Sequence, residues 1–202
     1  NMIKISDLIL VPSSYALEKY KNHDKKYNDK VVKFPLLFDD ELNDNIKIDD
    51  KRYFSYIGHA VKGHGFDNFI DFVKNSYNNN FDIKFKIATR TNIDKYIDKT
   101  IKNCIDQKFL IVHHGKDLSN KEINSHFSDS YCLWNLYKRS TQSGILPKAF
   151  MLGTPVISTN IGSFPEFVVN GKNGYIQNAS EYELLYENIQ KIKNNIKYFS
   201  CN

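Results

Sequence analysis

Residues 140–175, STQSGILPKAFMLGTPVISTNIGSFPEFVVNGKNGY, contain the signals that decide the fold. Ser143 and Gly144 predict the start of a helix, with Pro147 in or near its first turn, where N–H groups have no partner within the helix. Gly153 fits the left-handed position that follows a helix. The stretch therefore begins with a helix that is marked at both ends.

A short buried strand and a second helix are predicted next. Residues 156–158 form a strand-like run after Pro155, which cannot continue a helix. A turn then leads to a short helix that begins at Pro165. Two Asn-Gly pairs within residues 170–174 indicate a tight turn into a last strand at Tyr175.

The start of the first helix, at Gly144, is a candidate site for a phosphate. N–H groups at a helix start point outward, with the positive end of the helix dipole behind them. A glycine also lets a ligand approach the backbone closely. The alternative is an ordinary helix-to-strand crossover with normal caps, and the residues themselves leave both interpretations open.

A second glycine-containing loop lies upstream. Residues 53–57 predict a strand, the loop GHAVKGHG covers residues 58–65, and apolar residues recur at helical spacing from Phe66 to Val73. A strand, a glycine-rich loop and a helix start a doubly wound unit, in which the loop is a second candidate phosphate site. The alternative for Lys62, in this loop, is a solvated surface lysine.

Further strands and helices alternate up to residue 175. Alternating apolar residues from Phe81 to Ile87 predict a half-buried strand, and apolar spacing over residues 93–105 predicts one helix. Strands are also predicted over residues 109–112 and 131–137, a helix with a capping box at Ser119 and Glu122 lies between them, and an amphipathic helix covers residues 181–197.

The alternation of strands and helices predicts an α/β fold with a doubly wound parallel sheet. Ligands bind such sheets beyond the carboxyl ends of the strands. Lys62, His113 and the loops over residues 137–144 and 162–166 all follow predicted strands. We therefore expect these groups to converge at one edge of the sheet.

The chain before residue 52 is predicted to be organised differently. An apolar run over residues 8–12 indicates a strand, Ser13 and Ser14 indicate a helix cap, and residues 30–35 indicate a second short strand. The polar, acidic segment that follows, up to residue 51, is typical of a linker.

Composition argues against several classes of function. The 202 residues carry a net charge of +5 that is spread along the chain, without the Lys/Arg-rich block that marks nucleic-acid binding. Three cysteines lie far apart and lack metal-binding spacing, which favours a reducing cytoplasm and predicts no metal site. No apolar run approaches transmembrane length, and no signal peptide is visible.

The stretch from residue 140 resembles the C-terminal, donor-binding domain of retaining glycosyltransferases with the GT-B fold, the "group 1" or family 4 class. That family's pattern is Glu-Ala-Met-Ala-x-Gly-x-Pro-Val-Ile, followed by Gly-x-x-x-Glu-x-Val-x-x-Gly-x-x-Gly. The positions that match in type and spacing are Ala149, Gly153, Pro155, Val156, Ile157, Gly162, Glu166, Val168, Gly171 and Gly174.

The resemblance implies that the doubly wound sheet is the Rossmann-like C-terminal half of a GT-B fold. It also implies a division of the chain into three parts. Residues 1–36 would be the end of the N-terminal, acceptor-binding domain, residues 37–51 the linker, and residues 52–202 the domain that binds the nucleotide-sugar donor.

A set of donor-binding residues is implied as well. In the family's Gly-Arg-x-x-x-Lys-Gly loop the Arg and the Lys contact the donor diphosphate, and His59 takes the Arg place here. The alternative roles are solvated surface for Arg139 and Lys148 and helix capping for Glu166. The implied donor-binding residues are His59, Lys62, Gly63, Arg139, Ser143, Gly144, Ile145, Lys148 and Glu166.

The family's two-glutamate motif is not intact in this sequence. The second Glu normally holds the ribose hydroxyls of the nucleotide, and its place is Lys148. The first Glu normally lies near the transferred sugar, and its place falls on Ser140 or Thr141. No catalytic residue is therefore assigned from the resemblance.

The implied activity is transfer of a sugar from a UDP- or GDP-sugar to an acceptor hydroxyl, with retention, in bacterial capsule, lipopolysaccharide or other surface polysaccharide synthesis. No metal or other cofactor is implied, because helix N-termini and basic side chains stabilise the departing diphosphate. The resemblance leaves two alternatives, a non-catalytic nucleotide-sugar-binding module of the same fold and a sugar-nucleotide epimerase with the GT-B fold.

The implied partners are the nucleotide-sugar donor and a glycan or lipid-linked acceptor that binds through the N-terminal domain. A nucleic acid is not expected as a partner. The expected location is cytoplasmic or peripheral on the inner face of the membrane. Because only the end of an acceptor domain is present, this chain alone is expected to bind the donor without transferring sugar.

Overall fold

The computed structural model describes residues 6–23, 25–35 and 51–200. These residues form two units, which we call the N-terminal unit (residues 6–35) and the sheet unit (residues 51–200). Residues 37–50 of the predicted linker lie outside the described residues. The predicted division into domains at residues 36 and 51 stays a prediction.

The N-terminal unit is a two-stranded parallel sheet with one α-helix. Strands β1 (Ile9–Val11) and β2 (Val31–Lys33) flank helix α1 (Ser14–His23) and a 3₁₀ helix at Lys25–Lys30. The side-chain oxygen of Ser13 accepts a hydrogen bond from the Ala16 N–H at 3.0 Å, which caps the start of α1. Both predicted strands and the predicted cap are confirmed.

Six parallel strands form the sheet unit, in the spatial order β5-β4-β3-β6-β7-β8. The chain runs outward from β3 to β5 and then returns to the other side of β3, so the direction of winding reverses between β3 and β6. This arrangement confirms the predicted doubly wound parallel sheet. The strands are β3 (Tyr53–Ile57), β4 (Phe85–Ala88), β5 (Leu110–His113), β6 (Ser130–Asn135), β7 (Val156–Ser158) and β8 (Gly174–Ile176).

Helices pack against the sheet and bury its apolar side chains in two clusters. Phe54, Phe85 and Trp134 belong to an aromatic-rich cluster, and Phe54 and Trp134 lie with ring centroids 6.2 Å apart. Leu133 and Val156 belong to the second cluster. The helices are α2 (Phe66–Asn78), α3 (Lys99–Asp106), α4 (Asn120–Ser128), α5 (Ile145–Met151), α6 (Phe164–Phe167), α7 (Tyr182–Asn194) and α8 (Ile196–Ser200).

The carboxyl ends of three neighbouring strands are level with one another. Ile57 at the end of β3 pairs with Ala88 at the end of β4, and Ala88 pairs with His113 at the end of β5. The loops that follow these strands therefore start side by side. This alignment gives the sheet one edge at which several loops can contribute to the same site.

The strand predicted from alternating apolar residues differs from the observed β4. The predicted strand is present, but it begins at Phe85 and not at Phe81, and all four of its residues are buried, so the prediction of a half-buried strand is wrong. Lys86 is buried because its ammonium group forms an ion pair with Asp129 and lies 4.1 Å from the centroid of the Tyr53 ring. A lysine with both contacts can occupy a central strand.

Two predicted helices are each divided in the structure. The segment over residues 93–105 contains a 3₁₀ turn at Asp94–Tyr96, and α3 starts only after Asp98. The Asp98 carboxylate accepts a hydrogen bond from the Ile101 N–H at 3.0 Å, so it caps a new helix instead of lying inside one. The segment over residues 181–197 is divided at Asn195 between α7 and α8.

Candidate functional site

A cavity of about 540 Å³ opens at the carboxyl edge of the sheet, on one side of α5. Its volume lies within the roughly 300–1,000 Å³ of typical small-molecule sites. It contains the point between β3 and β6 where the winding reverses, which is where doubly wound sheets bind ligands. The lining residues are Ile57, Gly58, His59, Ala88, Thr89, Arg90, Asp117, Leu118, Ile123, Phe127, Gly144, Ile145 and Lys148.

Basic side chains from three elements line this cavity. His59 follows β3, Arg90 follows β4, and Lys148 lies on α5. The Arg90 Nε–H donates a hydrogen bond to His59 Nε2 at 3.3 Å, so these two side chains lie side by side on one wall. The lining is therefore suited to an anionic group next to an apolar floor that includes Ile123 and Phe127.

Gly144 contributes bare backbone to the same cavity. It is the residue before α5, with an ordinary φ of −69°, and a Cβ added there would meet no atom within 4 Å. The neighbouring Ile145 N–H donates to the hydroxyl oxygen of Ser143 at 3.3 Å. The wall of the cavity at this point is thus open, and a ligand can lie directly against the chain.

The loop between β3 and α2 is fixed by contacts with the loop after β6. The carbonyl oxygen of Gly63 accepts hydrogen bonds from the N–H groups of Lys138 at 3.0 Å and Arg139 at 3.4 Å. The Lys138 ammonium group also pairs with Asp67 at 2.5 Å. The two glycine-containing loops that the sequence predicts are therefore locked together.

His64 adds a second lock on this loop. Its ring stacks on the Tyr137 ring, with centroids 4.3 Å apart and an interplanar angle of 6°. Its Nδ1 lies 3.2 Å from the carbonyl oxygen of His59, which also accepts a hydrogen bond from the Tyr56 hydroxyl at 2.6 Å. Burial lowers the pKa of His64, and the hydrogen bond to the His59 carbonyl opposes this shift.

The structure brings four of the predicted site residues into the cavity and leaves the others outside its lining. His59, Gly144, Ile145 and Lys148 line it. Lys62 is exposed in a 3₁₀ turn at Lys62–His64, and an added Cβ at Gly63 would lie 3.9 Å from Arg139 Nε. Gly63 therefore lies beside Arg139, and these two residues and Lys62 are not part of the cavity lining.

Ser143 is buried on the other side of α5. It lines a second cavity, of about 250 Å³, whose walls come from both units of the chain. Pro12 and Pro35 belong to the N-terminal unit, and Phe150 and Phe167 belong to the sheet unit. Helix α5 therefore separates the larger cavity from the contact between the two units.

Glu166 is placed at that contact. Its carboxylate accepts hydrogen bonds from the N–H groups of Ser14 and Tyr15, at 2.8 Å and 2.7 Å. Burial raises the pKa of Glu166, but hydrogen bonds from the Tyr15 and Ser14 amides, the Ser14 hydroxyl and Lys33 lower it, and the net shift is downward. Glu166 thus caps a helix, but this helix is α1 of the other unit and not the short helix α6 for which its alternative role was predicted.

The positions that correspond to the first glutamate of the family motif form a closed turn. The Ser140 hydroxyl donates to the Gln142 carbonyl oxygen at 2.6 Å and accepts from the Gln142 N–H at 3.1 Å. Gly162 lies against this turn, where a Cβ would collide with the Ser140 carbonyl oxygen. The turn is therefore held in place, and the side chain of Ser140 is used within it.

Sequence reasoning did not single out the walls that come from β4 and α4. Thr89 and Arg90 follow β4 directly, and Asp117 and Leu118 precede α4. Thr89 and Arg90 could have been predicted from the Thr-Arg-Thr sequence that follows a predicted strand. Polar residues in that position belong to the edge where such sheets bind ligands.

Among residues 6–23, 25–35 and 51–200, no group of three or more His, Cys, Asp or Glu side chains is arranged to hold a metal ion. Within the same part of the chain, no helix combines the length and the apolar character needed to cross a membrane.

Known proteins share this fold and part of this sequence. The capsular polysaccharide biosynthesis glycosyltransferase CapM of Staphylococcus aureus is 25% identical over 184 residues, which are 88% of this chain and 42% of CapM. The pneumococcal O-GlcNAc transferase GtfA, solved with UDP and GlcNAc, has a TM-score of 0.71 at 18% identity, over 96% of this chain and 40% of GtfA. The chain thus spans less than half the length of these two proteins.

Two further solved structures extend the likeness in fold. A mutant of S. aureus TarM, in complex with fondaparinux, alpha-GlcNAc-glycerol and UDP, has a TM-score of 0.77 at 13% identity, over 98% of this chain and 40% of TarM. Anabaena HepE, in complex with UDP, has a TM-score of 0.74 at 10% identity, over 98% of this chain and 57% of HepE.

The family model "Glycosyl transferases group 1" matches residues 38–198, which include all six strands of the sheet unit. This range is most of the chain. The match agrees with the doubly wound sheet, with the cavity at its carboxyl edge and with the GT-B fold of the solved structures described above. The chain belongs to the glycosyl transferases group 1 family.

Proposed function

We propose that the larger cavity binds the nucleoside diphosphate part of a nucleotide-sugar, and that the complete protein transfers the sugar to an acceptor hydroxyl. The observation that carries this proposal is the position of the cavity. It lies where the sheet reverses its winding, it is lined by His59, Arg90 and Lys148, and its wall at Gly144 is bare backbone. Cationic side chains and open backbone are the groups that hold a diphosphate.

UDP and GDP are the donor nucleotides that we propose. GtfA, TarM and HepE were each solved with UDP, which supports a uridine nucleotide first. The apolar floor at Ile123 and Phe127 offers a surface for the base or the ribose, while Lys148 and the pair of His59 and Arg90 offer charge for the phosphates.

In the proposed reaction the bond between the sugar and the diphosphate breaks, and a bond forms from the same carbon to the acceptor oxygen. The nucleoside diphosphate leaves and takes up the proton that the acceptor hydroxyl loses. Lys148 and Arg90 would stabilise the leaving diphosphate, so we propose that no metal ion is needed. Retention at the anomeric carbon is part of the proposal and rests on the family resemblance.

The setting that we propose is the synthesis of a bacterial surface polysaccharide such as capsule or lipopolysaccharide. The likeness to the capsular enzyme CapM supports it. A glycan or lipid-linked acceptor would bind through the N-terminal side, in the cytoplasm or at the inner face of the membrane. We further propose that this chain alone binds the donor without turnover.

A second candidate is a donor-binding module without catalytic activity. The observation that favours it is the residue types at the two-glutamate motif, where Lys148 and either Ser140 or Thr141 replace the acids. Both candidates require donor binding, so binding alone does not separate them. Turnover by the complete protein with a nucleotide-sugar and an acceptor does.

The test of donor binding is a thermal-shift panel of uridine, UMP, UDP, GDP and UDP-sugars on this chain. A ligand that binds the folded state raises the midpoint of unfolding, and at about a hundred times its Kd it adds about 2.7 kcal/mol. We expect UDP or GDP to raise the midpoint more than uridine does. No shift with any diphosphate at millimolar concentration would contradict the proposal.

A further inference from the structure

We propose that Glu166 is a positioning residue that holds the N-terminal unit on the sheet unit by capping helix α1. Nothing in this inference requires the cavity to bind a nucleotide. It concerns the contact between the N-terminal unit and the sheet unit. This contact sets how the two units face each other.

The geometry uses both oxygens of the carboxylate. Oε1 accepts from the Tyr15 N–H at 2.7 Å, and Oε2 accepts from the Ser14 N–H at 2.8 Å. First-turn N–H groups have no partner within their own helix, so each of these bonds satisfies a donor that α1 cannot satisfy itself. Ser13 satisfies the N–H of Ala16, so the carboxylate completes the cap.

Charge supports the same conclusion. Helix α1 has no acidic residue in its first turn, and its last turn contains Lys21 and His23. A negative charge at a helix start is favourable because it faces the positive end of the helix dipole. Glu166 supplies that charge from a position 151 residues away in sequence from Tyr15.

Strand β2 also contacts the Glu166 carboxylate, through the side chain of Lys33. Its ammonium group donates to the Ser14 hydroxyl oxygen at 2.8 Å and lies 3.4 Å from Oε2 of Glu166. Lys33 is the charged side chain that faces this carboxylate from β2, while α1 contributes two amides and the Ser14 hydroxyl. Three elements, α1, β2 and α6, therefore meet at one carboxylate.

The contact also borders the second cavity. Phe167, next to Glu166 in sequence, lines that cavity together with Pro12 and Pro35 of the N-terminal unit. Because the two units supply opposite walls, the shape of the cavity depends on how they are held. Loss of the Glu166 contact is therefore expected to change the junction while leaving the sheet unit folded.

The test is hydrogen exchange of the Ser14 and Tyr15 amides, measured by NMR on the ¹⁵N-labelled chain. In Glu166→Ala we expect exchange at both amides to become about tenfold faster or more, the factor expected for a lost charge-assisted hydrogen bond. Glu166→Gln retains one carbonyl oxygen and should give partial rescue. Glu187→Gln is the matched control, because Glu187 is exposed on α7 beside Lys191.

A pH titration of the wild-type chain gives a second readout. The pKa of Glu166 is lowered below its ordinary value of 4.5, so the contact is complete above that value and is lost as the pH falls through the lowered pKa. The Ser14 and Tyr15 amide shifts should share one inflection below pH 4.5 that Glu166→Gln abolishes. Unchanged exchange in Glu166→Ala, or the same inflection in Glu166→Gln, would overturn the inference.

Discussion

Gly65 and Gly144 both precede a helix at the carboxyl edge of the sheet, but the structure uses them differently. Gly65 has a left-handed φ of 68°, and a Cβ there would collide with the carbonyl oxygen of Leu136. Gly144 has a φ of −69°, and a Cβ there would meet no atom within 4 Å. One glycine is required by the packing of the chain, and the other is not.

This difference indicates what each loop does. The loop over residues 58–65 is locked against Tyr137 and Lys138, and Gly65 lets it pack against Leu136, so this glycine serves the fold. Gly144 lies on the wall of the larger cavity, where the fold makes no demand for a missing side chain. A bare position that packing does not require is best explained by room for a ligand.

The largest effect is expected at Gly65. Gly65→Ala should lower the free energy of unfolding by about 3 kcal/mol or more, because a strained backbone and a backbone collision act together. Gly144→Ala should change it by about 1 kcal/mol or less, since alanine is only a poorer residue at a helix start. Urea unfolding of both variants measures the difference, and equal losses would contradict the contrast.

The next largest effect is on UDP binding, where Lys148 and Lys62 are expected to differ. Lys148→Met should weaken UDP binding by about ten- to a hundredfold, because a charge-assisted hydrogen bond contributes roughly 1.5–3 kcal/mol. Lys62→Met should weaken it by about threefold or less, because Lys62 is exposed outside the cavity lining and water and salt screen its charge. Calorimetry with UDP, and with uridine as the control ligand, measures both.

A larger loss of UDP affinity in Lys62→Met than in Lys148→Met would show that Lys62 contacts the phosphates, as the Lys-Gly resemblance implies. The diphosphate would then lie against the outside of the locked loop, near Arg139, and the cavity would hold another part of the donor.

The smallest expected effect is on the pH dependence of the free energy of unfolding, through His64 in the loop over residues 58–65. The lowered pKa of His64 means that the unfolded chain takes up its proton first, so stability falls as the pH drops below the ordinary histidine value of 6.5. His64→Phe keeps a ring against Tyr137 and removes this titration. The slope of unfolding free energy between pH 5 and 7 should become shallower, though not flat, because burial also lowers the pKa of His126.

An unchanged slope in His64→Phe would contradict the assignment of this titration to the loop. His126→Gln is the companion variant. It should remove the remaining part of the slope without affecting the ring stack between His64 and Tyr137.

Much of the sheet was predictable because local signals agree with the tertiary structure. Gly153 has the left-handed φ, of 60°, that its place after a helix predicted, and the capping box at Ser119 and Glu122 forms as predicted. The strand at Val156–Ser158 follows Pro155 as expected. In these cases the residue that sets the local conformation is itself the signal in the sequence.

Other features depend on partners that are distant in the chain. Lys86 lies at a polar position of an alternating pattern, which is typical of a surface residue, and its burial depends on Asp129 and Tyr53. Asp98 divides a run of helical periodicity because its carboxylate caps a new helix. Glu166 has a family-like spacing, but its partners lie on α1, which no local pattern could identify.

The most direct test of the account is calorimetric titration of the wild-type chain and Gly144→Ala with UDP, with uridine as the reference ligand. We predict that the wild-type chain binds UDP. Gly144→Ala, with nearly unchanged stability, should bind UDP at least about tenfold more weakly than the wild-type chain, because the added methyl group occupies space against the phosphates. Both chains should bind uridine with almost the same affinity. Equal affinity of the two chains for UDP would show that the ligand does not lie against Gly144 and would contradict the central claim.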